Sequence, residues 1–417
     1  MRRIGGPGGP AGTADPAGIR GREAPEVPAV RSRAARPEIP AARLPRRATA
    51  SSLVLFVLLG AATASLGAAL PEIRGLYPAA ASSGGRLVSL YMLGSLIAIV
   101  VGGFGEAKLP PASAITALLG LFAAGCLGIG LAPSWTLLQI AAVAAGAGFG
   151  GLALYINTAF VQASGERNLV MLNLLNAAYG AGAVAGPVLV GLAAHLGVRL
   201  VFPACGVLAI ACLAARDCSR ALARRKPASA RIWPGLAVLK ILVPFAAIGF
   251  LYDGLETGTG AWESTHLVWI GYSVSAAAQI TAFLWAGLLV GRLIIPILTT
   301  RVSPPAVALG GVLAAAVALG GASLHGLAPY AYALAGFGLA PVFPAMLAWT
   351  SRTTASSQFA NGVMLSACMV GGVIWPAIIG LVATPNTPAT IPLALAGIAT
   401  LCLLAIWNAA RRQEAVG

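Results

Sequence analysis

The sequence predicts an all-α integral membrane protein in which twelve transmembrane helices form two parallel six-helix halves. Three observations carry that prediction. Between residues 51 and 410 the chain is a succession of about twelve apolar stretches, each near the roughly 20 residues a helix needs to cross hydrocarbon. Only helices and closed barrels satisfy their backbone polar groups there. The composition is 58% hydrophobic and 9% charged, with 52 glycines, whereas a soluble domain carries about 25% charge. The longest polar break, Arg216–Pro234, falls midway along the chain and divides the stretches six and six.

Residues 1–47 are rich in Pro, Gly, Ala and Arg and lack aromatics, so a disordered basic cytoplasmic tail is expected. No apolar core follows Arg2–Arg3 before residue 52, which argues against a signal peptide. A cytosolic tail, a misassigned start and an anionic-lipid contact all remain open for it. Residues 48–215 form the N-terminal half, with crossings near 51–70, 84–105, 112–131, 135–159, 168–194 and 197–215. A basic cytoplasmic linker occupies 216–236. Residues 237–410 form the C-terminal half, with crossings near 237–258, 273–296, 304–323, 327–349, 358–382 and 390–410, before a short cytoplasmic tail at 411–417.

The net charge of +15 invites a nucleic-acid reading, but its placement argues for topology. Ten arginines lie in the first 47 residues. Most of the others sit in the linker, on alternate loops (Lys108, Arg167, Arg301, Arg352) and at Arg411–Arg412, while the opposite loops hold Arg74, Arg86 and Arg199. Basic loops mark the cytoplasmic side, so both termini are expected there, in a multi-pass protein of the plasma (cytoplasmic) membrane. No nucleic-acid partner is expected.

Six cysteines fall almost entirely inside crossings without a CxxC pair, which fits neither a disulfide framework nor a zinc site. His195, His266 and His325 fall at outward loops or crossing ends and read as surface polar residues; no metal site is expected. The run Gly146–Gly151 resembles a phosphate-binding loop, but no strand precedes it and no Lys-Ser/Thr follows, so no nucleotide cofactor is expected. Small residues for close helix contact account for it.

An internal repeat is visible at an offset of 189 residues. Gly60 meets Gly249, Gly102 meets Gly291, and the group Gly182, Pro187, Gly191 meets Gly371, Pro376, Gly380. The fifth and eleventh crossings are thereby in register, and six being even, the halves share orientation.

Ionisable groups inside crossings are costly and so point to function. Asp253 and Glu256 lie three apart and share a helical face, among Gly254, Gly258 and Gly260, which let backbone approach a ligand. Paired in a cavity they can carry a proton near neutral pH. The competing reading ends the seventh crossing earlier and leaves both acids in headgroup water. Arg292, toward the inner end of the eighth crossing, reads as a structural or gating clamp on neighbouring helix ends. Asn157, Asn173, Asn176 and Tyr179 offer amides and a hydroxyl suited to a polyol, or to interhelical bonds. Trp285, near mid-crossing, can stack on a substrate ring. Trp262 and Trp269 fit the interfacial aromatic belt better.

These segments resemble the major facilitator superfamily over residues 51–410. Within it, Phe250–Trp262 (FLYDGLETGTGAW), Gly287–Leu293 (GLLVGRL), Gly336–Pro344 (GFGLAPVFP), Gly146–Asn157 and the pair Gly186-Pro187 are similar to fucose/glucose-type sugar–proton symporters and their bacterial relatives. The resemblance implies a major facilitator fold with a midplane site between the halves. It also implies a seventh-crossing glutamate near the cavity, here Glu256. The pair Gly186-Pro187, read as gating or structural, also resembles the fifth-crossing motif of drug antiporters, but Asn173 stands nine residues before Gly182 where that motif has a Gly. The chain departs from that group in lacking an acid before Glu72 in the first crossing and in carrying Ala153 four residues before Asn157. Any proton coupling therefore falls to Glu256 or Asp253.

The function expected is secondary active transport of a small organic solute, a sugar or sugar-like polar metabolite first, by alternating access with protons as the coupling ion. Its partners would be that solute and the lipid bilayer, and a monomer is expected. An exporter of drugs or secondary metabolites of the same superfamily is the alternative, and a non-transporting membrane sensor is the alternative of another class. An enzyme is not expected, because no nucleophile–base or metal-ligand constellation appears.

Overall fold

A computed structural model describes residues 44–78, 84–104, 109–163, 168–222, 236–353 and 357–414. The expectations for residues 1–43, Lys108, Arg167 and linker residues 223–235 lie outside the described residues. Residues 41–417 form one compact unit. Every crossing is helical because lipid offers the backbone no partner.

The N-terminal half comprises α1 (Arg46–Ala68), α2 (Leu70–Leu76), α3 (Gly84–Phe104), α4 (Pro111–Leu131), α5 (Trp135–Ala163), α6 (Asn168–Leu192), α7 (Gly197–Ala211) and α8 (Ser219–Leu222). The C-terminal half comprises α9 (Leu236–Trp269), α10 (Val274–Leu298), α11 (Pro304–Gly321), α12 (Ala328–Leu339), α13 (Val342–Thr353), α14 (Ser357–Val382) and α15 (Thr390–Glu414). Among the described residues eleven segments are long and apolar enough to cross a bilayer, with α7 and α8 counted as one and α12 and α13 as another. The 34-residue α9 supplies the twelfth crossing.

Helices α5, α13 and α15 each run four residues past the expected ends, to Ala163, Thr353 and Glu414, the last inside the expected tail. Three other boundaries move further. The first helix begins at Arg46, inside the expected tail. The sixth crossing continues through a 3₁₀ segment, Cys212–Cys218, to Leu222. There Asp217 pairs with Arg47 at 3.2 Å and Arg220 at 3.7 Å, which holds polar residues in helical geometry. The largest difference is in the seventh crossing, which continues past 258 to Trp269 and carries Asp253, Glu256 and Glu263 within one helix. The acids do not end the helix because other helices, not lipid, surround them.

Glycine sets how closely these helices pack. In the N-terminal half α6 lies along α1, and in the C-terminal half α14 lies along α9. A Cβ on Gly60 would strike the Tyr179 carbonyl, and one on Gly249 would come to 3.0 Å from Cys368 Sγ. These pairs sit at the 189-residue offset, so the same small-residue contact builds both halves.

The halves meet at the end away from the termini, here called outer. Gly67 of α1 packs on the Gly260 carbonyl of α9, and Ser264 Oγ donates to the Ala68 carbonyl at 3.0 Å. Ser275 of α10 donates to the Gly191 carbonyl of α6 at 2.5 Å. Gly85 of α3 packs on Trp262 and the Pro376 carbonyl. These contacts seal the outer end.

Candidate functional site

Below the outer seal a cavity of ≈ 150 Å³ lies between the halves. The N-terminal half contributes Thr63 and Gly67 of α1, Val88 and Met92 of α3, Phe149 of α5 and Tyr179 of α6. The C-terminal half contributes Asp253, Glu256, Thr257, Gly260 and Ala261 of α9, Trp285 of α10 and Met369 of α14. On α9 the spacing 253, 256, 257, 260 is that of one helical face, so the polar groups of this helix turn inward together.

Each polar group of the wall has a defined setting. Glu256 accepts a hydrogen bond from the Tyr252 hydroxyl one turn earlier and from Arg292 of α10, whose Nη2 lies 3.3 Å from Oε1. Gly372 of α14 leaves room for the Asp253 carboxylate, since a Cβ there would stand 2.5 Å from Oδ2. The ion pairs among the described residues leave Asp253 without a basic partner. Thr63 bonds the Tyr91 hydroxyl at 2.9 Å, and Tyr91, Phe149 and Tyr179 run ring to ring at 5.7 and 6.1 Å between centroids. The Trp285 ring packs over Gly260, and its buried indole N–H has no partner among the described residues. The site therefore offers one unpaired carboxylate, hydroxyls, an open N–H donor and aromatic faces.

Of the residues singled out in the sequence, Asp253, Glu256, Tyr179 and Trp285 come together at this cavity. Arg292 is not among the lining residues but pairs with Glu256 of the wall. Asn157 turns its amide to its own helix, donating to the Ala153 carbonyl at 2.9 Å. Asn173 and Asn176 are exposed and outside the cavity wall. They stand seven and four residues before Gly180, hence on the side of α6 that faces α10, where Gly180 meets Leu289. Gly186 brings α6 against Ala61 and Ser65 of α1, and Pro187 lies inside α6.

Two sequence readings are corrected. His266 is fully buried, with Nδ1 3.0 Å from the Tyr332 hydroxyl, because α9 extends past it and α12 covers it. Trp262 is no interfacial residue: it is buried and donates to the Pro376 carbonyl at 2.9 Å. The sequence reading missed Thr63, Thr257, Phe149 and the two methionines. Only Thr257 left a readable signal, one turn from Asp253 on the acid-bearing face.

The fold and this central cavity can be set beside known proteins. No curated protein matches the sequence. Among solved structures, the nucleoside transporter NupG aligns at 13% identity with TM-score 0.67, covering 87% of this chain and 98% of its own. A bacterial homolog of the human lysosomal transporter Spinster, inward-facing and unoccupied, aligns at 14% identity with TM-score 0.69, covering 87% and 96%. The E. coli fucose:proton symporter FucP, in its outward conformation, aligns at 17% identity with TM-score 0.59, covering 87% and 98%. The sequence profile described as Major Facilitator Superfamily matches residues 52–376, well over half of the sequence. With the all-helical architecture, that match makes the chain a member of the Major Facilitator Superfamily.

Proposed function

We propose that this transporter moves a small polar, sugar-like solute by alternating access in proton-coupled fashion. The cavity volume carries this reading: ≈ 150 Å³ is below the roughly 300–1,000 Å³ of pockets that hold drug-sized ligands. A compact solute with several hydroxyls matches the wall, which pairs acceptors and donors (Asp253, Thr63, Thr257, Trp285) with aromatic faces. Fucose, xylose and nucleoside transporters among the structural neighbours lend support at the level of substrate class.

In this reading Asp253 meets both solute and proton. Glu256 acts as a switch: the pair with Arg292 joins α9 to α10, and protonating Glu256 frees Arg292. Tyr179 and Trp285 flank the solute, Gly186 and Pro187 let α6 move against α1, and Asn173 and Asn176 meet the solute on the side bearing the termini. The protein would work as a monomer in the plasma membrane with both termini cytoplasmic, an orientation supported by the basic residues at the terminal end.

The apolar part of the wall, Val88, Met92, Phe149 and Met369, favours a second reading as an exporter of lipophilic compounds. A thermal-shift screen of purified protein against mono- and disaccharides, polyols, nucleosides and lipophilic cations at two pH values separates the two, because native-state ligands raise the melting point by mass action. A pH-dependent shift with a sugar or nucleoside is expected. A shift with lipophilic cations alone would reject the polar-solute reading.

A further inference from the structure

Two turns outward from Glu256 on the same face of α9, about 10 Å along the axis, stands a second acid that the cavity does not use. Glu263 is 0% exposed, and neither carboxyl oxygen has a hydrogen-bond partner among the described residues. One turn further, His266 is equally buried, with Nδ1 on the Tyr332 hydroxyl of α12 and Nε2 without a partner among the described residues. Between the two acids the Trp285 ring packs over Gly260, so the second acid is screened from the solute.

An ionised carboxylate without partners in such a setting is strongly disfavoured. A charge-neutralising ligand removes that cost. The titratable groups around it are few. Tyr332 approaches from α12, and His325, in the turn before α12, acts on His266. From α2, Arg74 lies over the rings of Trp262 and Trp269. Arg86 of α3 is exposed. Among the described residues α1, α10, α14 and α15 bring no charged side chain to this stretch. No group of three or more His, Cys, Asp or Glu side chains that could hold a metal ion gathers among the described residues, and a proton needs only the one carboxylate.

We propose that Glu263 is a second proton-binding site, in the C-terminal half and apart from the solute cavity, reached from the outer side past His266 and Tyr332. The carboxylate takes a proton from water when the outer seal opens and keeps it when Ser264 and Gly260 close against α1. Proton transport thereby gains a station above the cavity acids. The proposal rests on the proton-coupled reading above, but its test needs no transported solute.

The test is infrared spectroscopy of full-length protein in detergent, titrated in pH. The wild type is expected to show the C=O stretch of an unbonded protonated carboxyl at neutral pH. E263Q should lose that band, while E256Q and D253N keep it. A wild-type spectrum in E263Q overturns the proposal, as does loss of the band in D253N instead. Should E263Q fail to fold, E263D keeps the acid but moves it by one methylene; a shifted band is expected and an unmoved one is fatal. A band abolished at fixed pH when sodium replaces potassium would mean a sodium site and reject the proton. Uptake that proves independent of a pH gradient would remove the coupled reading without touching the band assignment.

Discussion

Arg292 and Glu256, 36 residues apart in sequence, form an ion pair that joins the eighth crossing to the seventh at the cavity wall, Nη2 to Oε1 at 3.3 Å. The side chains are 35% and 16% exposed, so water still screens them. Their coupling therefore lies between surface and buried pairs, about 1–2 kcal/mol. A double-mutant cycle with E256Q and R292Q in detergent denaturation should return that value, with the double variant more stable than the sum of the singles predicts. In proteoliposomes E256Q should abolish pH-driven accumulation and spare counterflow exchange. Full pH-driven accumulation in E256Q would remove Glu256 from the coupling mechanism.

The unpartnered indole N–H of Trp285 makes a sharper test of the solute site. Trp285→Phe removes the donor and keeps an aromatic face over Gly260. One neutral hydrogen bond is worth about 1 kcal/mol, or roughly a five-fold loss of affinity. That loss should appear in titrations of the best sugar or nucleoside from the thermal-shift panel. Ligand-free stability should move little, since lost ring packing is offset by removing a buried donor without a partner. Unchanged affinity would place the solute away from this wall.

The crossings were legible because hydropathy and glycine–proline punctuation read directly as bilayer-spanning helices. The repeat was legible because Gly182, Pro187 and Gly191 return as Gly371, Pro376 and Gly380. The acids of the seventh crossing stood out for their cost in hydrocarbon. What the sequence hid was partnership. Nothing at i+3 or i+4 marks Arg292 as the partner of Glu256, because that contact exists only once α9 and α10 pack. Composition cannot say that Asn157, read as a substrate amide, also bonds its own helix at Ala153. The end of the seventh crossing was misplaced for a related reason: Asp253, Glu256, Glu263 and three glycines lower apparent hydropathy, and burial by α10, α12 and α14 is invisible locally.

Outside the crossings, Glu72 of α2 offers a pH test. It is 9% exposed and accepts from the Val198 N–H at 3.2 Å, closing the start of α7. Burial pushes its carboxyl above the usual carboxylate range, and the Val198 bond, His195 and Arg199 only partly oppose this. A carboxyl raised in the folded state stabilises the protein below its unfolded value, and that stability is lost as pH rises through the folded value. E72Q keeps the acceptor and has no charge to bury. It should therefore melt higher than wild type at neutral pH and show a flatter fall in stability from acid toward neutral pH. E72A, which loses the acceptor as well, should cost about 1 kcal/mol relative to E72Q. Identical pH profiles for wild type and E72Q would contradict this account.

The outer seal depends on a position that tolerates no side chain. A Cβ on Gly67 would run into the Gly260 carbonyl and stand 2.9 Å from Ala261 Cα, backbone atoms that cannot rotate away. Gly67→Ala must therefore push α1 from α9 at the outer end, while the lower halves of both helices keep their own contacts. The Ser264 bond to the Ala68 carbonyl lies one residue along α1 and one turn along α9 and should break with it. Arg74, spanning the seal from α2 to the rings of Trp262 and Trp269 at 5.5 and 5.0 Å, opposes the separation. Cation–π contacts of this kind contribute about 0.5–2 kcal/mol, enough to shift a two-state equilibrium several-fold. Spin labels on the outer ends of α1 and α9 should report a longer distance in Gly67→Ala than in wild type. R74A should shift the populations in the same direction but less far, and the double variant further than either. An unchanged distance distribution in Gly67→Ala would mean that α1 and α9 do not form the outer closure.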